Sequence, residues 1–167
     1  MNISSELKRL YEEDQQDRAG KYDEINLEKM RANDSVRLRR AYEIYGLIKT
    51  GQVGLSPEDY FHLAMLFQHS PKLEDYQTAL EVSIAGAERG SVECAWLSAA
   101  AEDRYLLAKG ERQKWGTQFK KNAQGEWEQM PMFSDEESKI TDEMREEKNV
   151  PPRADQMKVF LNRKDIK

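Results

Sequence analysis

Apolar residues recur every three or four positions along most of the chain, the spacing of helices that bury one face. In the amino-terminal part this pattern predicts a first helix, capped by Ser4 or Ser5, that continues to about Arg18. Gly20 then interrupts the pattern, and a short helix is expected over 26–31. The chain therefore opens with two short amphipathic elements.

Two helices in the middle of the chain have clear start signals. Asn33, Asp34 or Ser35 can cap a helix over 36–50, and Gly51 ends it. The next helix begins at Ser56-Pro57-Glu58-Asp59, where a capping hydroxyl precedes a proline and acidic residues near the positive end of the helix dipole. This second helix should reach His69, because Pro71 cannot continue it.

Residues 73–109 predict two helices joined by one tight glycine turn. The first stops at Gly90, and Ser91 caps the second, which stops at Gly110. Small residues line the facing sides of both helices, so the pair predicts an αα-hairpin like those of tetratricopeptide and Sel1 repeats. A second copy of this unit is not evident, and a solenoid needs several.

Beyond the hairpin the helical pattern weakens. A turn signal at 122–125, with apolar residues on both sides, predicts a small β-hairpin or loop insertion near 115–131. A helix is expected from about Thr141 to Asn149, and a last short helix over 154–161.

Length and composition fit one such helical domain. The chain has 167 residues, of which 38% are hydrophobic and 34% are charged, which supports one core under a heavily charged surface. We therefore expect an all-α fold: a compact helical domain over 1–167, with an acidic and basic extension over 135–167 packed on it. Collagen, a disulfide scaffold and a membrane span do not fit this composition.

Charge and cysteine content narrow the classes of partner. The net charge is −5, whereas a nucleic-acid binder normally presents a basic face. Cys94 is the single cysteine, so no intrachain disulfide can form, and its apolar neighbours predict a buried small residue. The first ten residues lack the apolar segment of a signal peptide. We expect a cytoplasmic protein with no membrane and no nucleic-acid partner, and its basic cluster is expected to be a solvated helix face: Arg37, Arg39 and Arg40.

Charged residues extend two of the apolar stripes, and these are the first candidates for chemistry. Asp14 and Arg18 continue the apolar face of the first helix. Asp103 continues the apolar face of the second hairpin helix, with Arg104 beside it. An exposed ion pair explains the first two residues without any function, and a structural ion pair explains the second two. If they are buried, however, they must be paired or used.

The histidines and one polar loop complete the set of candidates. His62 and His69 share a helix but lie roughly 10 Å apart along it, which is too far for one metal ion. His62 is expected to be a hydrogen-bonded core residue, whereas His69 ends the helix, where the dipole favours an imidazolium that acts as a general acid or binds an anion. The loop from Gln113 to Phe119 carries two amides, a hydroxyl and a glycine, as a pocket for a polar small molecule requires. The simpler alternative is a turn that satisfies its own backbone.

Several of these segments resemble one known family. Glu102-Asp103-Arg104, followed by Gln113-Lys114-Trp115-Gly116-Thr117-Gln118, looks like the hallmark of an uncharacterised bacterial family, a domain of unknown function. Other segments are similar to that family in the same order: Asp14 with Asp17-Arg18, Phe67-Gln68-His69 and Val150-Pro151-Pro152. Trp115 stands where the resemblance leads us to expect tyrosine or phenylalanine. The resemblance covers most of the chain and implies shared site positions, but it implies no substrate.

These observations predict a small helical protein with a polar pocket for a small anionic metabolite, a hydrolase or transferase that uses acid–base chemistry. No nucleotide or flavin fingerprint is present, so no cofactor is expected. The expected catalytic residues are His69, Asp103 and Asp14. The expected substrate-binding residues are Arg18, Gln68, Arg104, Gln113, Thr117 and Gln118.

Two alternatives stay open at this point. The tetratricopeptide-like hairpin is typical of non-enzymatic modules that bind a protein partner. A metal-dependent hydrolase is the second alternative, with His69, Asp103 and Asp14 as ligands. The position of Asp14, His69, Asp103 and Gln118 discriminates among these functions, because a pocket requires them in one concave site.

Overall fold

The computed structural model describes residues 2–19 and 25–165, with side chains up to residue 162. The expected break at Gly20 lies outside the described residues. The helical body consists of α1 (Ile3–Asp17), α2 (Leu27–Lys49), α3 (Pro57–Gln68), α4 (Leu73–Ala87) and α5 (Val92–Ala108). Then follow β1 (Phe119–Lys121), β2 (Trp127–Gln129), α6 (Asp135–Ser138), α7 (Asp142–Glu147), a 3-10 turn (Arg153–Asp155) and α8 (Gln156–Asp165). The predicted all-α fold with a small β-hairpin is confirmed.

Helix α3 lies at the centre of the helical body. Most of its 12 residues are buried, and it contacts α1, α2, α4 and α5. Its start is as the sequence predicts: Ser56 accepts a hydrogen bond from the backbone of Asp59, whose carboxylate accepts one from the backbone of Ser56. This central position places His69, the residue that caps the end of α3, among several elements at once.

Helix α2 is one continuous helix, so the prediction of a short helix over 26–31 and a second one over 36–50 was wrong. Asn26 caps it by accepting a hydrogen bond from the backbone of Lys29. The expected caps lie inside the helix, and two of them bind α1: Asn33 donates to Asp17, and Asp34 accepts from Arg18. Tertiary contacts thus replace the local backbone bonds that make such residues caps.

The cap of α1 also differs from the prediction. The side chain of Asn2, and not that of Ser4 or Ser5, accepts the hydrogen bond that begins the helix, from the backbone of Ser5. Ser4 instead donates to the carboxylate of Asp59 at the start of α3, at 2.8 Å. A serine that looks like a local cap therefore ties two helices together.

The carboxy-terminal part of the chain packs on α5 through a second, smaller apolar cluster. This second cluster contains the buried residues Ala99, Trp115, Ile140 and Val150, and the partly buried Trp96 packs against both this cluster and the main core around α3. Strands β1 and β2 pair antiparallel just beyond Trp115, with Phe119 opposite Gln129. The chain thus has a large core among α1–α5 and a small one beneath the segments that follow.

The α4–α5 hairpin depends on close approach of the two helices at Gly86. A Cβ at this position would collide with the Sγ of buried Cys94 and lie 2.8 Å from the Cβ of Tyr60. We expect Gly86→Ala to lower the free energy of unfolding by about 1–3 kcal/mol, because the core has no room for an extra methyl group. Urea denaturation measures this change.

Gly46 provides the matched control, since it lies in the interior of α2 with nothing within 4 Å of its added Cβ. Gly46→Ala should raise the free energy of unfolding by roughly 0.5–1 kcal/mol, because alanine restricts the unfolded chain more than glycine does. Equal changes in the two variants would contradict the close packing at Gly86.

Candidate functional site

A carboxylate–imidazole pair joins α1 to the end of α3. The Nδ1 atom of His69 lies 2.8 Å from the Oδ2 atom of Asp14, across 55 positions of sequence. Asp14 is 1% exposed, whereas the side chain of His69 keeps 15% of its surface exposed. No residue that the structure describes hydrogen-bonds the Nε2 atom of His69. The pair therefore leaves one imidazole nitrogen available for a ligand.

Arginines from two helices surround the carboxylate of Asp14. Arg18 donates to Asp14 at 2.7 Å and forms a two-point contact with Asp34 of α2. The buried Arg37 connects Asp34 with Asp17, at 2.6 and 2.8 Å. Asp14 is thus held by a network of ion pairs between α1 and α2, with the acidic side chains in excess.

The surroundings of His69 favour the neutral imidazole. Burial lowers the pKa of His69 below its ordinary value, and the positive charges of Arg18 and Arg104 lower it further. The hydrogen bond with Asp14 acts in the opposite direction but does not outweigh burial. The helix dipole predicts an imidazolium, whereas burial favours the neutral imidazole. In the neutral form, Nδ1–H donates to Asp14 and the lone pair of Nε2 is free to accept a proton.

We expect an NMR titration to place the pKa of His69 below its ordinary value of 6.5. Since the unfolded chain takes up this proton at higher pH than the folded chain, the free energy of unfolding should decrease as the pH falls from 6.5 towards the folded-state pKa. Burial lowers the pKa of His62 as well, so His62 adds to the same trend.

Two variants check the cause of this shift. Arg104→Met removes a neighbouring positive charge and should raise the pKa of His69, whereas Asp14→Asn removes the stabilising carboxylate and should lower it further. His62→Gln assigns the two histidine signals. A His69 that titrates at or above 6.5 contradicts the neutral-imidazole assignment.

Arg104 lies close enough to His69 for its positive charge to act on the imidazole. It is half-buried, yet no carboxylate of the described residues lies within 4.0 Å of its guanidinium. Its Nη1 donates to the backbone carbonyl of Gln68 at 3.1 Å, and its Nε donates to the Oε1 atom of Gln118 at 3.2 Å. Burial lowers the pKa of Arg104, and the Tyr76 side chain opposes this effect. An arginine side chain stays charged, and among the described residues this guanidinium has no counter-ion, as an anion-binding group requires.

The partners of Asp103 differ from those that the sequence suggested. Its carboxylate is fully buried and accepts hydrogen bonds from the backbone of Lys114, Trp115 and Thr117 and from the Thr117 hydroxyl, all at 2.8–2.9 Å. Burial raises the pKa of Asp103, although these four hydrogen bonds favour the anion. No ion pair forms with Arg104. This geometry supports a structural role for Asp103, which folds the loop after α5.

The loop over 114–118 is closed from its other side by Gln113. This fully buried amide donates to the carbonyls of Gln118 and Met130 and accepts from the backbone of Gln118. Thr117 accepts from the side-chain amide of Gln118 and donates to Asp103. Gln113 and Thr117 thereby fix Gln118, and Gln118 in turn fixes Arg104.

The candidate residues form a network of two hydrogen-bonded groups, which adjoin at the consecutive residues Gln68 and His69. Asp14, Arg18 and His69 make its α1–α3 side, Gln68 and Arg104 connect α3 with α5, and the loop residues complete it: Gln118, Thr117, Asp103 and Gln113. Gln68 contributes its backbone carbonyl, while its side chain is 3% exposed with an unpartnered Oε1. The network has a solvent-accessible side at His69, Arg104 and Gln118.

The sequence did not single out three residues of this network. Asp34 and Arg37 complete the ion pairs around Asp14, and Tyr76 of α4 faces Arg104. Asp34 was interpreted as a helix cap, and Arg37 as part of a solvated basic cluster. Arg37 is 5% exposed instead, and Arg40 is paired with Glu6 and Glu43. No signal in the sequence distinguishes Tyr76 from the other tyrosines.

His62 is buried, and among the described residues its side chain lacks the hydrogen bond that the sequence predicts. It stacks on Tyr11 with ring centroids 4.6 Å apart, and its Nδ1 has no partner among the described residues. Within the same residues, no group of three or more His, Cys, Asp or Glu side chains is arranged to hold a metal ion. Asp103 in particular directs both carboxylate oxygens at hydrogen-bond donors.

No family model, curated protein or solved structure matches this chain. Over residues 2–19 and 25–165, no helix combines the length and the apolar character needed to cross a membrane.

Proposed function

We propose that the cluster around His69 is an acid–base site for a small anionic metabolite, with hydrolysis or group transfer as the class of reaction. The observation that carries this proposal is the pairing of two incomplete groups at one place. Among the described residues, the half-buried Arg104 has no counter-ion, and the Nε2 atom of the neighbouring His69 has no hydrogen-bond partner. A ligand with an anionic group and an acidic proton would supply a partner to each of them: the anionic group would pair with Arg104, and the proton would be donated to the Nε2 atom of His69.

The chemistry assigned to His69 is proton transfer. Asp14 accepts from Nδ1–H and so fixes the tautomer and the plane of the imidazole, while Nε2 removes a proton from a substrate hydroxyl or from water and returns it to the leaving group. Arg18 acts as a positioning residue, because Asp14 and Asp34 occupy its guanidinium. Arg104 binds the anionic group of the substrate.

The remaining candidate residues position the side chain of Arg104. The carbonyl of Gln68 and the side chain of Gln118 aim the guanidinium, and the loop held by Asp103 and Gln113 fixes Gln118. We include all of these residues in the site, but only His69 and Arg104 are assigned direct contact with the ligand.

A thermal-shift screen of phosphorylated and carboxylated metabolites tests this function, because a ligand that binds only the folded chain raises its stability. We expect Arg104→Met to weaken the binding of any such metabolite by at least about tenfold. Arg112→Met is the matched control, since Arg112 is exposed and paired with Glu137. His69→Gln should retain binding and lose turnover. Binding that is insensitive to Arg104→Met overturns the proposal.

A helical module for a protein partner is the second candidate. Exposed apolar side chains on the α4–α5 hairpin favour it: Leu73, Ile84 and Val92. Ile84→Lys and Val92→Lys would abolish binding of such a partner and leave metabolite binding unchanged. We also propose a cytoplasmic location, supported by the single buried Cys94. Membership of the resembled bacterial family is a further proposal, supported by the hydrogen bonds that join its motif positions Thr117 and Gln118 to Asp103 and Arg104.

A further inference from the structure

Lys148, at the end of α7, extends its side chain to α5 on the side of the second apolar cluster. Its Nζ donates to the hydroxyl of Ser98 at 2.8 Å and lies 5.2 Å from the centre of the Trp115 ring. Ser98 is 1% exposed and donates its own hydrogen to the carbonyl of Ala95. The amine of Lys148 is half-buried against an aromatic ring and a neutral hydroxyl.

Among the described residues, the charged amine of Lys148 contacts neutral groups, the Trp115 ring and the Ser98 hydroxyl. No carboxylate of the described residues lies within 4.0 Å of its Nζ. Glu102 acts on it from further away, but the two carboxylate oxygens of Glu102 accept from Lys114 and from the Trp115 indole, at 2.6 and 2.7 Å. Burial therefore outweighs Glu102 and lowers the pKa of Lys148.

Two exposed lysines, Lys109 and Lys120, lie in a different environment. Lys109 contacts Glu111 at 2.6 Å, and this contact raises the pKa of Lys109. Lys120 contacts Glu128 at 3.2 Å and is 51% exposed. A lysine without an acidic partner, held by neutral and aromatic groups, resembles the desolvated lysines that act as nucleophiles.

We propose that Lys148 is a nucleophilic amine that takes up acyl groups from activated acyl donors, namely acyl phosphates and thioesters. The lone pair of the neutral Nζ attacks the carbonyl carbon, so that a C–N bond forms. The C–O bond of an acyl phosphate or the C–S bond of a thioester breaks, phosphate or thiolate leaves, and the amine proton passes to solvent. The product is a neutral amide. This inference is independent of the function proposed for His69.

Such a modification would act on the loop that holds Arg104. The charge of Lys148 now lies over Trp115, whose backbone is one of the donors to Asp103. Acylation removes that charge and its hydrogen bond to Ser98 and adds volume at a half-buried position. The modified chain would therefore carry an altered contact beneath the 114–118 loop.

The test is quantitative acylation of the folded protein with acetyl phosphate and, separately, acetyl coenzyme A, near neutral pH. Peptide mass spectrometry then gives the initial rate at each lysine. We expect Lys148 to react at least about threefold faster than the more exposed Lys120 with one or both donors, since each unit by which a pKa falls gives about ten times more neutral amine. In urea, where the fold is lost, the two lysines should react alike.

Glu102→Gln supplies the second measurement. It removes the acidic group that acts on Lys148 and should speed acetylation of Lys148 severalfold, with Lys120 unchanged as the internal control. The pH dependence of the rate should level off at lower pH for Lys148 than for Lys120. A folded-state rate at Lys148 no higher than that at Lys120, or a preference that persists in urea, overturns the inference.

Discussion

Asp103→Ala is expected to lower the free energy of unfolding by about 3–5 kcal/mol, because it leaves buried donors without an acceptor. The backbone N–H groups of Lys114, Trp115 and Thr117 all donate to this carboxylate. For a chain of this length, the melting temperature should fall by roughly 10 °C. Urea denaturation and scanning calorimetry measure the two quantities.

Asp103→Asn separates a structural from a catalytic role. The amide nitrogen must replace an oxygen that now accepts hydrogen bonds, so a donor would face a donor, at a cost of about 1–3 kcal/mol. Glu146→Ala, at an exposed position, is the control and should change stability by less than roughly 0.5 kcal/mol. An Asp103→Asn protein with full stability and no activity would contradict the structural assignment.

Gly116→Ala should cost about 2–4 kcal/mol, the second large effect. Gly116 has a φ of +84°, and an added Cβ would collide with the Oε1 of Gln156 and lie 2.7 Å from the Nε2 of Gln129. These side chains cannot simply move aside. Gln156 donates to the carbonyl of Trp115 at 2.7 Å, and Gln129 donates to both Gly116 and Gln156.

Gly125→Ala is the matched control for this prediction. Gly125 has a nearly equal φ of +81° in the turn between β1 and β2, but nothing lies within 4 Å of an added Cβ. It should therefore cost only the backbone strain of about 1–2 kcal/mol. The difference between the two variants, measured by urea denaturation, isolates the contact with Gln156. Equal losses would show that this contact contributes nothing.

The parts of the fold that could be predicted from the sequence are those with local causes. Ser56 and Pro57 begin α3, and Gly90 ends the turn of the hairpin, because each acts within a few residues of itself. Helix α2 was mispredicted for the opposite reason. Asn33 and Asp34 have the chemistry of caps, but Asp17 and Arg18 of α1 bind their side chains, and sequence spacing does not reveal this contact.

In the candidate site, too, the features with local causes could be predicted and the tertiary contacts could not. Helical spacing placed Asp14 and Asp103 on the apolar stripes of their helices, and the structure shows both at most 1% exposed. It did not predict what they meet: Asp14 binds an imidazole from α3, and Asp103 binds backbone N–H groups of a loop. The helix dipole, which predicts a charged His69, is a local effect, whereas the burial that lowers the pKa of His69 depends on the packing of the whole chain.

Arg104 connects the two apolar clusters, and this has a consequence for motion. One of its hydrogen bonds goes to α3 in the large core, and the other goes to Gln118, whose loop is anchored by Trp115 in the small cluster. Regions with few buried apolar contacts open more often than the main core. An opening confined to the small cluster would release Gln118 and free the guanidinium while α1–α5 stay folded. The lifetime of the assembled site is thus set by the weaker of the two cores, and amide hydrogen exchange around Trp115 reports it more directly than the melting temperature does.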